Sequence, residues 1–168
     1  MPFVEVTFEF TGGDRLARIF QAHPALDLSD LREPMAKSAD TVLDVNRVTF
    51  EREGPGWAPL APATVEDRER HGFPGEHPIL ERTGALKRSL TVKGALGNVY
   101  EVGRDYMKVG SELETPSGWN LAILHQFGTD RMPARPIIGL DRNHLRRRLS
   151  RVWEVWLQHR FTGRARYF

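Results

Sequence analysis

The sequence predicts an α+β protein: an antiparallel or mixed sheet packed against a long helix in the N-terminal half and a C-terminal amphipathic helix, with long assembly loops between. Three observations carry this. Leu31, Met35, Ala39, Val42, Val45 and Thr49 recur at steps of three and four, which lines them on one helix face. Short β-branched and aromatic runs follow Leu86 between glycine-containing turns, as strands require. Leu145, Leu149, Val152, Trp153, Trp156 and Leu157 make a second helical stripe, with Arg147, Arg148, Arg151 and Glu154 on the other side.

In chain order, Phe3–Phe10 alternates in part and reads as a strand, broken by Thr11-Gly12-Gly13. A short helix fits Asp14–Ala22, before Pro24. Asp30 and Glu33 have capping-box spacing, although Pro34 shifts the true start a little later. The long helix then runs to about Glu53 and must stop at Gly54-Pro55-Gly56. Residues 54–81 are loop-rich, with one helix over Ala63–Arg70 opened by Pro62 and an exposed turn at His71–His77. Leu86, Leu90 and Val92 are expected on one strand, Val99–Val102 and Met107–Val109 on two more. With turns at Gly94–Asn98 and Gly103–Asp105, this makes an antiparallel meander. A polar loop over Glu112–Gly118 leads to a short helix over Trp119–Phe127, ended by Gly128. Asp141 is placed to cap the last helix. The organisation expected is a single domain over 1–160 and a short basic, aromatic tail over 161–168.

A chain of 168 residues with 40% hydrophobic and 27% charged residues can bury a core and is not of disordered composition. No apolar run reaches the ~18 residues that cross a bilayer, so no membrane partner is expected. The opening MPFVEVTFEF lacks a basic stretch followed by a continuous apolar one, and is not expected to be a signal peptide. Cysteine is absent, which excludes disulfides, thiol catalysis, zinc ribbons and Cys-ligated iron–sulfur clusters. Charge is unevenly spread. Met1–Asp130 holds 14 Lys+Arg against 20 Asp+Glu, a net −6, whereas Arg131–Phe168 holds 10 against 2, a net +8. A basic C-terminal fifth points to an acidic partner, nucleic acid or protein. Arginine outnumbers lysine 20 to 4, which a GC-rich genome explains as well as function does.

Catalytic and cofactor signatures are missing. None of the six histidines has the H-E-x-x-H spacing, and there is no G-x-S-x-G elbow, Walker loop or G-x-G-x-x-G. Glu51/Glu53 and Glu66/Asp67 read as solvated helix faces. No catalytic, cofactor-binding or metal site is therefore assigned. His125, in Leu124-His125-Gln126-Phe127-Gly128, is the one residue with a rival catalytic reading, as the base of a small hydrolase. No spacing ties Ser89, Ser111 or Asp130 to it, so it reads as a histidine bonded to backbone carbonyls beside a helix end. Phe127 is expected to anchor this segment in the core. Arg146-Arg147-Arg148 with Arg151 offers phosphate contacts, and a nucleic-acid-binding accessory protein using this basic helix is the alternative function. Helix-turn-helix, zinc-finger and RNP patterns are absent.

Several short signatures occur in a set order: Gly54-x-x-Trp57-x-Pro59-Leu60, Ile79-Leu80-x-x-Thr83-Gly84-x-Leu86-x-x-Ser89-Leu90, Val109-Gly110-Ser111, His125-Gln126-Phe127-Gly128 and Pro133-Ala134-Arg135-Pro136-Ile137-Ile138-Gly139-Leu140. This order, over about Leu31–Trp156, resembles the phage virion morphogenesis family, the tail completion proteins of tailed bacteriophages and prophages. The resemblance implies a non-enzymatic virion protein of the head–tail junction, or neck, assembled in the host bacterial cytoplasm. It implies a homo-oligomeric ring, six-fold or twelve-fold, that meets other neck, tail terminator or connector proteins and has incidental contact with passing DNA. Two departures are local: Trp119–Leu124 replaces a tyrosine-alanine pair common in relatives, and Glu112–Gly118 looks inserted.

The motif residues also have physical roles. Gly84 relieves steric demand after Thr83 where a strand is expected to begin, and Gly128 supplies a left-handed stop. Pro133 and Pro136 stiffen the segment around Arg135 into extended backbone. Two interface expectations follow. Arg147, Arg148 and Arg151 should meet acidic groups of another subunit or neck protein. Trp57, Leu60 and Phe73, on a 54–81 loop mobile in the free subunit, should be buried against a partner.

Overall fold

The computed structural model describes residues 30–54, 56–138 and 142–162. The elements are α1 (Arg32–Glu51), α2 (Pro62–Arg70), α3 (Ala85–Thr91), β1 (Asn98–Val102), β2 (Met107–Ser111), α4 (Leu121–Phe127) and α5 (Arg142–Thr162). The fold is α+β, with one two-stranded antiparallel sheet among the described residues. The Phe3–Phe10 strand, the Asp14–Ala22 helix, the Asp141 cap and residues 163–168 of the expected tail lie outside the described residues. The tail's first two residues, Phe161 and Thr162, belong to α5.

α1 is the organising helix. Pro34 is accommodated in its first turn, where a backbone N–H has no helical acceptor to lose. Asp30 does not close the expected box. The cap position is Leu31, and Asp30 accepts the Arg32 N–H (3.1 Å) and ion-pairs with its guanidinium. The helix stops where Glu53 and Gly54 take positive φ and the Gly54 N–H reaches back to the Thr49 carbonyl (2.8 Å). Its buried set is Pro34, Ser38, Ala39, Thr41, Val42, Leu43, Asn46 and Phe50, while Met35, Val45 and Thr49 are only half-buried. The stripe is broader than the apolar pattern because α1 packs against α5, α3 and both strands at once.

The expected strand over Leu86–Val92 is a helix, α3. Leu86 and Leu90, four residues apart, satisfy a helical face as well as an alternating one, and both are buried. Gly84 at φ 69° is the helix cap and not a strand entry, with the Thr83 hydroxyl accepting from the Ala85 N–H (3.3 Å). The meander is therefore a hairpin. β1 and β2 pair in the register Asn98↔Ser111 to Val102↔Met107, around a turn closed by the Gly103 N–H on the Tyr106 carbonyl (2.9 Å). Gly94–Asn98 links α3 to β1 instead of joining two strands. One hairpin face lies on α1 and α3: Tyr100 Oη donates to Asp40 (2.8 Å), Asn98 Nδ2 to the Ser89 carbonyl (2.7 Å), and Ser111 Oγ meets Ser89 Oγ (2.8 Å). The other face carries Glu101 and Lys108, paired at 3.1 Å and exposed.

α5 lies along α1 with Leu145, Val155 and Trp156 buried. The apolar core joins Phe50, Trp57, Ile79, Leu86, Leu90, Ala122 and Ile137. Among the described residues, no helix is long and apolar enough to cross a membrane.

Candidate functional site

Three of the sequence signatures, 54–60, 125–128 and 133–138, come together in one hydrogen-bonded knot at the core's edge. The first segment of the knot is built around Trp57. Its indole is 92% buried and stands edge-on to Phe50, with centroids 5.9 Å apart. Its Nε1 donates to the Pro136 carbonyl (2.7 Å). The spacing Gly54-x-x-Trp57 follows from contact, since a Cβ on Gly54 would stand 2.3 Å from that Nε1.

Arg135 ties the same segments from the other side. It is only 4% exposed; Nε donates to the Ala58 carbonyl and Nη2 to the Pro59 carbonyl, both at 2.8 Å. Burial pulls its pKa below the ordinary arginine value. Its own N–H donates to the His125 carbonyl (2.7 Å). Gln126 completes the knot. Oε1 accepts from the Ile137 and Ile138 N–H groups (2.9 and 3.0 Å), and Nε2 donates to the Ile138 carbonyl (3.0 Å). A side-chain amide thus does the work of a neighbouring strand for backbone that has none. Pro133 is exposed and Pro136 half-buried, so the stiffness of the segment serves to present Arg135 and Ile137.

Gly128 lets the two segments meet. It has φ 72°, and a Cβ there would lie 2.6 Å from the Ala134 nitrogen and 2.7 Å from the Met132 carbonyl oxygen. α4 itself starts at Leu121 and not Trp119, because Asn120 is the cap and its Oδ1 accepts the Ile123 N–H (3.0 Å).

His125 does not bond a backbone carbonyl through its ring as expected. Its Nδ1 is buried without a hydrogen-bond partner among the described residues. Burial, helped by the Arg135 charge, pushes its pKa down to about 4, so the imidazole is neutral near pH 7. Among the described residues neither carboxylate nor hydroxyl is bonded to it, and Ser89 and Ser111 are bonded to each other. Phe127 is not a core anchor: it is 67% exposed, because Gly128 turns the chain away one residue later and α4 buries only Ala122 fully.

The remaining expected site residues separate into several places. Trp57 is buried by its own chain rather than left for a partner, and Leu60 is half-buried against the same core. Phe73 is half-buried, with the Arg82 guanidinium 5.0 Å from its ring centre. Thr83 is exposed and bonds Ala85 at the start of α3. On α5, Arg148 pairs with Asp44 of α1 at 2.5 Å, Arg151 faces Glu154 at 3.7 Å, and Arg147 is exposed. The 54–81 stretch also holds residues that sequence reasoning missed. Arg68 is 3% exposed and donates to the Pro78 carbonyl (3.0 Å), and Glu53 accepts from the Ile79 N–H (2.7 Å) and meets His77 Nδ1 (2.6 Å). Arg68 sits in a charged run with no local sign of burial. Asn46, in the α1 stripe, bonds the Leu90 carbonyl (3.1 Å).

The chain matches no family model, no curated protein and no solved structure. Its functional reading rests on the knot and on the surface around it. Trp119 and Phe127 are exposed at either end of α4; elsewhere, Leu96 is 86% exposed in the turn after α3.

Proposed function

We propose that this protein is a non-catalytic structural subunit of the phage head–tail junction, completing the tail or joining it to the head as an oligomeric ring. The observation that carries the reading is the knot: signatures that resemble those of tail completion proteins are used to fasten backbone to backbone. Trp57, Arg135 and Gln126 are spent on carbonyls and amides of the chain itself. His125 is neutral near pH 7 and its Nδ1 has no partner among the described residues, which suits a packing role better than general base catalysis. Exposed Phe127 beside the knot and exposed Trp119 before α4 are apolar groups that an assembly surface can bury.

The DNA-binding alternative is weakened by pairing. Arg148 and Arg151 both have acidic neighbours within the chain, so the positive field of α5 is lower than its sequence suggests. The test is size-exclusion chromatography with mass measurement and negative-stain imaging, alone and with neighbouring virion proteins. A discrete closed ring at the neck is the expected result. A monomer with tight, steeply salt-dependent DNA affinity would replace this reading with the alternative.

A further inference from the structure

Among the described residues, no strand pairs with either outer edge of the hairpin. The bonds Glu112 N–H to Gly97 carbonyl and Gly103 N–H to Tyr106 carbonyl fix which pairs in the register are hydrogen-bonded. In an antiparallel ladder these alternate with non-bonded pairs, so Val99↔Gly110 and Glu101↔Lys108 face inward. The N–H and C=O groups of Tyr100 and Val102 on β1, and of Met107 and Val109 on β2, then point outward. Among the described residues none of these outward groups makes a hydrogen bond, whereas at the far end Asn98 N–H is held by Ala95 and the Ser111 carbonyl by Asn120. With one face on α1 and α3, the hairpin has two edges that the other described residues leave unpaired.

We propose that copies of this chain join through these edges, β1 of one subunit pairing with β2 of the next. The inference rests on the ring reading and specifies its contact. Charge selects the partner edge. β1 carries Glu101 and β2 carries Lys108 on the exposed face. A β1–β1 contact brings glutamates together and a β2–β2 contact brings lysines together, while β1–β2 sets unlike charges side by side. Only the last contact uses two different edges, which is the heterologous arrangement that closes into rings. Direction agrees: the order β1-β2-β1-β2 around a ring is antiparallel throughout. Five-residue strands with a charged face also keep the free subunit from pairing indiscriminately.

The test is residue-resolved amide exchange on the full chain, free and assembled. In the free subunit Val99, Glu101, Lys108 and Gly110 should exchange slowly, and Tyr100, Val102, Met107 and Val109 fast. Assembly should slow the second set at least ~10-fold. Val102→Pro and Val109→Pro remove an outward donor and leave the inner ladder intact; each should raise the assembly concentration ~10-fold or more. Val109→Ala, which loses packing but keeps the N–H, should assemble like the parent. Outward amides already protected in the free subunit would mean that the chain covers its own edge, and would overturn the inference. Rings that leave these amides fast, or that form normally from both proline variants, would overturn it too while the ring reading stands. A chain that forms no ring, alone or with neck proteins, overturns both.

Discussion

Arg135 carries the most informative single substitution. Its guanidinium is buried, bonds two carbonyls at 2.8 Å, and has no carboxylate beside it among the described residues. Hydrogen bonds from a charged donor contribute ~1.5–3 kcal/mol each, so two amount to roughly 3–6 kcal/mol. Burying the charge offsets part of this, consistent with its lowered pKa. Arg135→Met keeps the aliphatic stem and removes every donor, leaving the Ala58 and Pro59 carbonyls dry and unpaired. The net expected loss is about 2–4 kcal/mol. Arg135→Lys can keep one of the two bonds and should lose about half as much. Urea unfolding with an unchanged m-value is the assay. A Met variant within ~0.5 kcal/mol of the parent, or a Lys variant weaker than Met, would refute the account of the knot as a donor-dependent fastening.

Three further outcomes are expected. Since the folded His125 pKa lies below its unfolded value, the unfolded chain binds the extra proton: the contribution of this residue is full above about 6.5 and is lost as pH falls toward about 4, by at most ~3 kcal/mol. Urea midpoints from pH 7.5 to 4.5 should therefore fall less steeply for His125→Asn than for the parent, and parallel profiles would contradict the burial argument. Gly128→Ala should cost ~2 kcal/mol or more in thermal unfolding, because its Cβ would strike backbone at 2.6 Å, whereas Phe127→Ala should cost under ~1 kcal/mol and weaken assembly instead. Reversing Arg147 and Arg151 to Glu, sparing Arg148 for Asp44, should leave unfolding within ~1 kcal/mol and reduce assembly; normal rings would remove the arginine face from the interface.

The parts legible in the sequence were those with redundant signals. α1 and α5 have periodic apolar stripes over many turns, α2 has Pro62 at its start, and the hairpin has β-branched runs either side of Gly103. The sequence misreads α3 because its two buried leucines fit two periods; the i,i+4 bonds of Arg88 to Gly84, Thr91 to Lys87 and Val92 to Arg88 separate them in the structure. At the site, the ordered signatures marked the residues that meet, but not how. Gln126 carries no local sign that it clamps two isoleucine amides; Arg135 reads as part of a stiff strip and is its buried fastener. Phe127 looked like core, because hydrophobicity alone does not say on which side of a helix end a residue falls. Trp57 and Leu60 looked available to a partner because their own partners lie far along the chain, where no local pattern reports them.

That distance has a consequence for biosynthesis. The bonds joining Trp57 to Pro136 and Arg135 to Ala58 and Pro59 span 76 to 79 residues. Closing so long a loop has an entropic cost that shorter contacts do not bear, and it delays these bonds relative to helix and hairpin formation. On the ribosome, Trp57 emerges long before the backbone that caps its indole. A nascent chain ending short of Pro133 can form α1, α2, α3 and the hairpin but leaves that ring without its acceptor. These fastenings therefore wait until the 133–138 segment has been synthesised, and chains released before it lack them.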